Sequence, residues 1–552
     1  MLKLFCVDLK LVFIAFVILC TACTNDQNKH AQSTIKIIPP PYHKVESKVD
    51  AASLSPAELL GRCVLLEYQS HFDLPVLLNS LDNNIGGAIL FKGDLAELNT
   101  LKDSLKSYSY PPLIIWDSDK AFKSDSSKII WPKLQLADFL RDTILHYDFL
   151  NQYAIANYNV GVNAITGPVL SVDNINRFEV GVEDKIKSES RFVNAIHQAR
   201  VLSMADGIGD YYEDMGIVLN SEDSVSITRK KMWLSGYQNL IDNGLGIWRI
   251  NSDILFPPTA DGLAEYRPGR VGKEIIRNEL GYSGILWTSF NPIKKSEDDL
   301  DELLEKQAAR IVRGLLNGID GFLIQGDPIA LFEKIDKAYS ESESDGLPLI
   351  QSADKWYKAA AWQGHDKVKP KIMTERALLK LIDDCLASSV ILSSDKYNQV
   401  PILGNSKKIA SLAIGPKQST EFQKQLSKFC EVSQFVIPNS ELSHAVPAYL
   451  KMLSSFDLII ISLYDNPPIR TSVLLDELIA NQKVILIDFI SSNYKSNEEA
   501  AILHIPDLSD RIEIIAADAI FGARSISGFS AIEKNALGKG EGIIRNKEIR
   551  IT

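Results

Sequence analysis

Polar side chains follow two apolar runs of the sequence, at positions where an enzyme would place reactive groups. Thr288 and Ser289 end the run that begins at Ile285, and Asp117 directly follows the run Leu113–Trp116. In parallel α/β proteins, catalytic and binding groups stand at the carboxyl ends of strands. A serine hydroxyl acts as a nucleophile only when a base activates it, and no histidine lies near Ser289 in the sequence. Asp117 either binds a polar ligand or hydrogen-bonds the backbone amides of its own loop.

Acidic side chains in the predicted loops offer a second source of chemistry, a pair of carboxylates. The candidates are Asp119, Asp173, Asp210, Glu213 and Asp214. Glycoside hydrolysis uses two carboxyl groups, and inverting enzymes tolerate a separation wide enough to admit a water molecule. The alternative is a solvated acidic rim, which is favoured because the chain contains 70 Asp and Glu residues and such side chains are mostly exposed.

Short apolar runs alternate with helical patterns from Leu59 onward. The runs are Val64–Tyr68, Ala88–Phe91, Leu113–Trp116, Val160–Val169, Val201–Met204, Gly246–Ile250, Ile285–Thr288 and Gly321–Gln325. The helical patterns include Leu134–Leu145, Phe192–Ala199, Val271–Leu280 and Leu303–Leu316. Eight strand–helix units over about 300 residues predict an α/β fold whose strands close into a (β/α)8 TIM barrel. An open doubly wound sheet is the alternative, but eight units in sequence favour closure.

The residues after the barrel predict a smaller α/β sandwich domain. The polar segment Ser340–Gly346 interrupts the rhythm around residues 338–370 and indicates a surface loop near a boundary. Beyond it we predict a helix over Glu375–Ser389 and strands over Ile409–Ile414, Leu458–Leu463 and Val484–Phe489. Because three strands are too few for a second barrel, we predict a barrel domain at 56–355 and a sandwich domain at 356–552.

The first 23 residues resemble a bacterial lipoprotein signal peptide. Lys3 and Lys10 precede the apolar run Leu11–Cys20, which is too short for a comfortable membrane span. Small residues stand just before Cys23, the expected site of lipid attachment, and Cys20 occupies a position where such signals usually have leucine. A plain secretory signal with an incidental cysteine is the alternative.

Residues 24–55 are polar, contain three consecutive prolines and predict a tether between the lipid and the folded domains. The predicted location is therefore the bacterial cell envelope, on the outer membrane or cell surface if the cell is Gram-negative. Contact with the membrane would be made through the lipid anchor only, because the attached chains rather than the peptide would hold the protein there.

The overall composition excludes some partners. The net charge of −11 argues against nucleic acid and against an anionic membrane surface. Beyond the N-terminal segment the cysteines are Cys63, Cys385 and Cys430, which lie far apart in apolar surroundings and are predicted to be core thiols. No motif indicates a metal site or a cofactor.

Several strand ends taken together resemble glycoside hydrolase family 3, and most of all its bacterial β-N-acetylhexosaminidase branch. The motifs are Ile85–Phe91, Leu113–Asp119, Val162–Asp173 and Asn278–Ser289, and Lys408–Pro416 resembles the start of that family's C-terminal α/β sandwich. The resemblance covers roughly residues 55 to 500 and depends on the order and spacing of the motifs. It implies a TIM barrel followed by a sandwich, and an activity on O-glycosyl bonds.

The resemblance also implies site residues, and most of the catalytic ones are replaced. The family's nucleophilic aspartate, which follows a threonine at the seventh strand, corresponds to Ser289. Its Asp-x-His acid/base dyad corresponds to Asp214 and Gly216, so the aspartate is present and the histidine is absent. A Lys-His pair that contacts the sugar in the family corresponds to Ser203 and Met204.

One substrate-binding position is retained. Asp117 matches a family aspartate that grips sugar hydroxyls, although the family's Gln-Glu-Gly-Gly continuation is Ser118–Ala121 here. Trp116, Trp248 and Trp287 lie in or at the ends of predicted strands. They could stack on a sugar, but large aromatic side chains at such positions more often pack in the core.

These replacements predict a pseudoenzyme with no intact catalytic set, because a retaining glycosidase needs a carboxylate nucleophile and a proton donor. We predict a lipid-anchored envelope protein that binds a glycan, a peptidoglycan fragment or a partner protein of the envelope. One alternative is a divergent β-N-acetylhexosaminidase or other glycosidase that hydrolyses envelope glycans with relocated carboxylates. Another is a structural envelope protein whose barrel mouth is filled by tryptophan and other long side chains.

Overall fold

The computed structural model describes most of two domains. The described residues are 38–116, 122–123, 130–132, 140, 142–169, 182–206, 237–251, 270–289, 300–324, 326–342, 344, 346–364, 370–403, 407–438, 449, 451–465, 476–480, 483–489, 500–505, 508–528 and 542–547.

Eight parallel strands close into a barrel, as the sequence predicted. They are β1 (Val64–Tyr68), β2 (Ala88–Phe91), β3 (Leu113–Trp116), β4 (Ala164–Val169), β5 (Leu202–Asp206), β6 (Ile247–Asn251), β7 (Ile285–Ser289) and β8 (Gly321–Ile324). Each strand pairs with its neighbours in the chain, and β8 pairs with β1 to close the ring. The strands β2, β3 and β8 are buried along their whole length, because helices cover one face and side chains fill the interior.

Helices surround the strands and are separated from them by short loops. They are α1 (Pro56–Arg62), α2 (Leu74–Asp82), α3 (Leu95–Leu105), α4 (Thr143–Val160), α5 (Val182–Gln198), α6 (Leu300–Leu316) and α7 (Pro328–Ser340). Asp94, Asp142 and Asp327 start α3, α4 and α7 by accepting hydrogen bonds from backbone amides of the first turn, which supplies partners that those amides lack within the helix. Before β7 the chain forms a π-helix, Arg270–Glu279.

The base of the barrel, where the strands begin, is closed by helix α8 (Leu347–Gly364) and the segment 38–62. Trp356 of α8 donates a hydrogen bond to the Asp320 carbonyl, 2.8 Å away. From the other side, the Tyr42 hydroxyl donates to the Gly246 carbonyl at 2.9 Å and accepts from the Ile285 amide at 2.9 Å. The predicted interruption at 338–370 is thus mostly helical, and the predicted domain boundary after residue 355 falls within α8.

The second domain is built on a six-stranded sheet. Its strands are β9 (Ile391–Ser394), β10 (Ile409–Gly415), β11 (Val432–Pro438), β12 (Leu458–Leu463), β13 (Val484–Asp488) and β14 (Ala501–His504). They lie in the order β9–β14–β13–β12–β10–β11, and only β9 is antiparallel to its neighbour. The sequence predicted β10, β12 and β13 and missed the two edge strands and β14.

Helices connect this sheet to the barrel. Helix α9 (Glu375–Ser389) packs on α4 of the barrel and on α11 (Asp510–Ile520) of the second domain, and the short α10 (Glu421–Leu426) also packs on α11. One hydrophobic cluster continues from the barrel to one face of the sheet, where it includes Leu458 and Ile460. The alternate residues Ile459 and Ile461 belong to a separate cluster on the opposite face.

The cysteines outside the N-terminal segment are free, and two of them are core residues as predicted. Cys63 and Cys385 are buried, whereas Cys430 is partly exposed. Burial raises the pKa of the Cys63 and Cys385 thiols, so both are protonated at neutral pH. In the part of the chain that the structure describes, no helix combines the length and apolar composition that crossing a bilayer requires.

Candidate functional site at the barrel mouth

The mouth of the barrel, where the strands end, contains the serine that the sequence motif singled out. Ser289 is the last residue of β7, is partly exposed and pairs in register with Asn251 of β6 and Leu323 of β8. Within the described residues it makes no hydrogen bond to a histidine or a carboxylate. A hydroxyl in this setting has no base to increase its nucleophilicity.

The neighbouring Thr288 takes no part in the mouth. Its side chain is 1% exposed, and its Oγ1 atom has no hydrogen-bond partner in the described part of the chain. Successive strand residues point to opposite faces, so Thr288 faces the surrounding helices while Ser289 faces the interior. The same alternation places Trp287 in the barrel interior.

The three tryptophans considered from the sequence are packing residues. Trp116, Trp248 and Trp287 are 3%, 0% and 0% exposed. Trp248 stacks on Tyr237 with ring centroids 4.2 Å apart, on the helix-facing side of β6. Trp287 pairs with Gly321 of β8 inside the barrel. None of these rings offers a face to a sugar, which agrees with the packing interpretation.

Ser203, which corresponds in sequence to a sugar-contacting lysine of the resembled family, faces away from the mouth. It is fully buried in β5, and its Oγ lies 3.0 Å from Nε2 of His197 on α5. The Ser203 amide also donates to Nε2, at 3.3 Å, which places the ring proton on Nδ1. Burial lowers the pKa of His197 to about 3, so this ring is neutral. The pair fixes α5 to β5 and has no access to a substrate.

A carboxylate that the sequence reading missed lies at the mouth. Glu67 of β1 accepts a hydrogen bond from Lys92 at 2.7 Å and another from Gln69 at 2.7 Å. Its neighbour Tyr68 hydrogen-bonds Glu97 of α3, so Tyr68 faces the helices and Glu67 faces the interior. The Glu67 side chain is 18% exposed. A lone charged residue in the otherwise apolar run of β1 was the available signal.

A cation in the barrel interior was missed in the same way. Arg249 of β6 is partly buried and pairs in register with Trp287. Its guanidinium carbon lies 5.7 Å from the centroid of the Trp287 ring, within the range of a cation–π interaction. Arg249 and Trp287 together occupy space below the mouth that a deeper binding pocket would need.

His71 lies in the loop after β1 and is not placed to act on a substrate held at Ser289. Its Nδ1 atom lies 3.0 Å from Glu97, and its side chain is 61% exposed. The ring therefore belongs to a surface ion pair at the end of α3, which agrees with its interpretation as a loop residue.

The remaining predicted site residues lie outside the described residues. They are Asp117, Asp119, Asp173, Asp210, Glu213, Asp214 and Gly216, together with the lipid-attachment residue Cys23. Their roles remain predictions from the sequence. Among the described residues, no group of three His, Cys, Asp or Glu side chains is arranged to bind a metal ion.

A polar network lies at the opposite end of the barrel. Asp320 is 2% exposed and accepts hydrogen bonds from Lys355 at 2.8 Å, from the Leu286 amide at 2.8 Å and from Ser352 at 3.0 Å. Arg277 of the π-helix completes the set through an ion pair with Asp320. Burial raises the pKa of Asp320, but the two cations outweigh it and the net pKa lies below the ordinary value of 3.8. Polar groups at the base of a TIM barrel serve stability rather than chemistry.

Comparisons with known proteins find similarity in structure only. No family model matches the chain, and no curated protein sequence matches it. The beta-glucoside phosphorylase BglX superposes with a TM-score of 0.63 and 14% identity, covering 88% of this chain and 95% of that one. A glycoside hydrolase family 3 beta-N-acetylglucosaminidase from a Paenibacillus species gives 0.63 and 14%, covering 86% and 98%.

A beta-glucosidase from Listeria innocua superposes with a TM-score of 0.65 at 13% identity, covering 88% of this chain and 76% of that one. The similarity spans both domains. At this identity it concerns the fold, and it confirms the barrel-plus-sandwich architecture that the resemblance to glycoside hydrolase family 3 implied. The activities of these proteins belong to their own active sites.

Proposed function

We propose that this chain is a glycoside hydrolase family 3 protein that has lost hydrolysis and binds a carbohydrate or a partner protein at the bacterial cell envelope. The observation that carries the proposal is Ser289. It stands at the carboxyl end of β7, where the motif resemblance expects a nucleophilic aspartate, and no described base contacts it. A serine without a base cannot form the glycosyl intermediate of a retaining enzyme.

The sequence adds a second argument, because Gly216 replaces the histidine of the acid/base dyad. Glycine has no titratable group, so no proton donor remains at that position. Loss of both groups removes both halves of the retaining mechanism. The polar residues that remain at the mouth, Glu67 and Arg249, are suited to hydrogen-bonding the hydroxyl groups of a bound sugar.

Hydrolysis is tested with a chromogenic β-N-acetylglucosaminide. We expect turnover by the purified wild-type protein to equal that of a protein-free blank. The same assay on a Ser289→Asp, Gly216→His double variant asks whether restoring the two groups restores activity, with Ser289→Asn, Gly216→His as the matched control without a nucleophilic carboxylate. Robust turnover by the wild type that disappears in Ser289→Ala would refute the loss of catalysis.

Sugar binding is tested by titration calorimetry with N-acetylglucosamine disaccharide and with soluble peptidoglycan fragments. We expect Glu67→Gln and Arg249→Met each to weaken binding about tenfold, the usual effect of losing a charge-assisted hydrogen bond. Glu302→Gln, on the exposed surface of α6 where it pairs with Lys306, is the control and should bind like the wild type. Absence of binding to every sugar would leave a protein partner as the ligand of the mouth.

A second candidate function is a divergent glycosidase with relocated carboxylates. Glu67 favours it, because this partly exposed carboxylate faces the interior of the mouth. Such an enzyme needs a second carboxyl group within about 10 Å, and the acidic residues at 210–214 are the candidates. Wild-type hydrolysis that is abolished by Glu67→Gln and unaffected by Ser289→Ala would establish this mechanism.

The structural alternative and the lipid anchor have tests of their own. Because Arg249 and Trp287 fill space inside the barrel, a mouth that binds neither sugars nor envelope proteins would support a purely structural role. Anchoring through Cys23 is tested by metabolic labelling with a fatty acid. The wild type should carry the label and Cys23→Ala should not, and a labelled Cys23→Ala protein contradicts the anchor.

A further inference from the structure

A cavity of about 330 Å³ lies at the base of the barrel, at the opposite end from Ser289. Its walls come from the segment 46–49, the end of α1, the loop before β3 and one face of α8. Tyr110, Pro111, Pro112 and Tyr357 form flat apolar walls, and Asn163 adds an amide. A volume near 300 Å³ corresponds to the smaller pockets that bind organic molecules.

Arg62 is the unusual member of this lining. It is 5% exposed, and its guanidinium carbon lies 4.5 Å from the centroid of the Tyr357 ring. One nitrogen, Nη1, donates to the Tyr110 carbonyl at 3.3 Å. The other two, Nε and Nη2, have no hydrogen-bond partner among the described residues. These two nitrogens form the edge of the guanidinium that binds carboxylates and phosphates with two parallel hydrogen bonds.

The charges around Arg62 do not compensate it. Glu46 also lines the cavity, but it is exposed and makes no ion pair with Arg62 in the described part of the chain. Lys48 brings a second positive charge to the same wall. Burial lowers the pKa of Arg62, yet a guanidinium stays protonated at any physiological pH. A buried cation with unused donors is unfavourable unless an anion pairs with it.

We propose that the base cavity binds a small organic oxyanion, a carboxylate or a phosphate monoester attached to a flat apolar group. The Nε–Nη2 edge of Arg62 binds two oxygens of the anion, and Lys48 adds a longer-range attraction. The flat group packs between Tyr110 and Tyr357. This site is separate from the barrel mouth, so it does not depend on the function proposed there.

The experiment measures binding of benzoate and phenyl phosphate to the full-length protein by saturation-transfer NMR at constant ionic strength. Benzamide, which has the same ring without the charge, is the neutral comparison. We expect at least one of the two anions to bind and benzamide to bind more weakly. The stronger of the two identifies carboxylate or phosphate as the group that Arg62 recognises.

Arg62→Met keeps the length and apolar character of the side chain and removes the charge. We expect it to weaken anion binding about ten- to hundredfold, as expected for a lost charge-assisted pair of hydrogen bonds. Arg313→Met, at an exposed position of α6, should bind like the wild type. Glu46→Gln should bind as well as or better than the wild type, because it removes the only carboxylate of the lining.

If Arg62→Met does not fold, Ala361→Leu provides an independent test, since it fills the cavity from α8 and leaves Arg62 in place. It should abolish binding. The proposal is overturned if neither anion binds the wild type, if benzamide binds equally well, or if a folded Arg62→Met or Ala361→Leu variant binds the anions like the wild type.

Discussion

Asp320 is the buried anion that holds the base of the barrel together, and Asp320→Asn tests how much stability it provides. The substitution keeps the shape of the side chain and removes its charge. Arg277 and Lys355 would then remain near each other without a carboxylate. Removing one partner of a buried ion pair costs about 3–5 kcal/mol, because the remaining charge stays buried and uncompensated.

The structure places the expected cost in the lower part of this range. The side chains of Arg277 and Lys355 are 14% and 21% exposed, so water can reach part of each cation once the carboxylate is gone. The asparagine oxygen can still accept a hydrogen bond from the Leu286 amide, which now lies 2.8 Å from the carboxylate. We therefore expect Asp320→Asn to lower the free energy of unfolding by about 3 kcal/mol.

Urea unfolding followed by circular dichroism measures this loss. The matched control is Asp301→Asn, because Asp301 pairs with Lys334 at a similar distance, 2.7 Å, but is 64% exposed. The control should cost under about 1 kcal/mol. The reasoning fails if the two variants lose equal stability.

The pH dependence gives a second check on Asp320. Because its folded pKa lies below 3.8, its contribution is fully present above pH 3.8 and is lost as the pH falls through the folded pKa. The difference in unfolding free energy between wild type and Asp320→Asn should therefore be constant near neutral pH and shrink only below pH 3.8. A difference that grows on acidification would contradict the assignment.

Three further substitutions have expected outcomes in the same unfolding assay. Gly87→Ala should cost about 3 kcal/mol or more, since its new Cβ would lie 1.7 Å from the Arg62 carbonyl oxygen, whereas Gly346→Ala meets no atom within 4 Å and should cost about 1 kcal/mol through its positive φ. Thr288→Val should stabilise the protein by about 1 kcal/mol, because it removes a buried hydroxyl without a partner among the described residues. Burial lowers the pKa of His146 to about 4, so its contribution is present above pH 6.5, the ordinary value, and is lost as the pH falls toward 4. His146→Gln should remove about 2–3 kcal/mol of the wild type's loss between pH 7 and pH 4.

Each of these has an outcome that contradicts it. Equal costs for Gly87→Ala and Gly346→Ala would mean that the contact between β2 and α1 can relax. A destabilised Thr288→Val protein would show that the hydroxyl has a partner after all. An unchanged acid slope in His146→Gln would mean that other groups cause the acid sensitivity.

The sequence predicted the barrel well because each of its strands is an apolar run bounded by turns. Val64–Tyr68, Ala88–Phe91 and Leu113–Trp116 were predicted with the bounds that the structure has. The edge strand Val432–Pro438 was missed because most of its residues are only partly buried, which weakens the apolar signal. Helix α8 was missed because it follows a polar segment and carries no strand before it.

The candidate site was predictable only in part. The end of β7 and its serine follow from a local motif, whereas Glu67 and Arg249 become visible only when strand alternation is combined with barrel closure. The base cavity could not be predicted, because Arg62, Tyr110 and Tyr357 are far apart in sequence and meet only in the fold. Local patterns determine the strands, and long-range packing determines which polar groups meet.

The two ends of this barrel carry separate demands, and that separation explains how catalysis could be lost while the fold persisted. The base contains Asp320 with its two cations and the hydroxyl of Tyr42, which bridges β6 and β7. None of these contacts involves Ser289. A nucleophilic carboxylate at the mouth serves chemistry and commonly costs stability, so its replacement by serine leaves the base intact and removes a source of strain. The scaffold could therefore keep its shape and take on binding roles at either end.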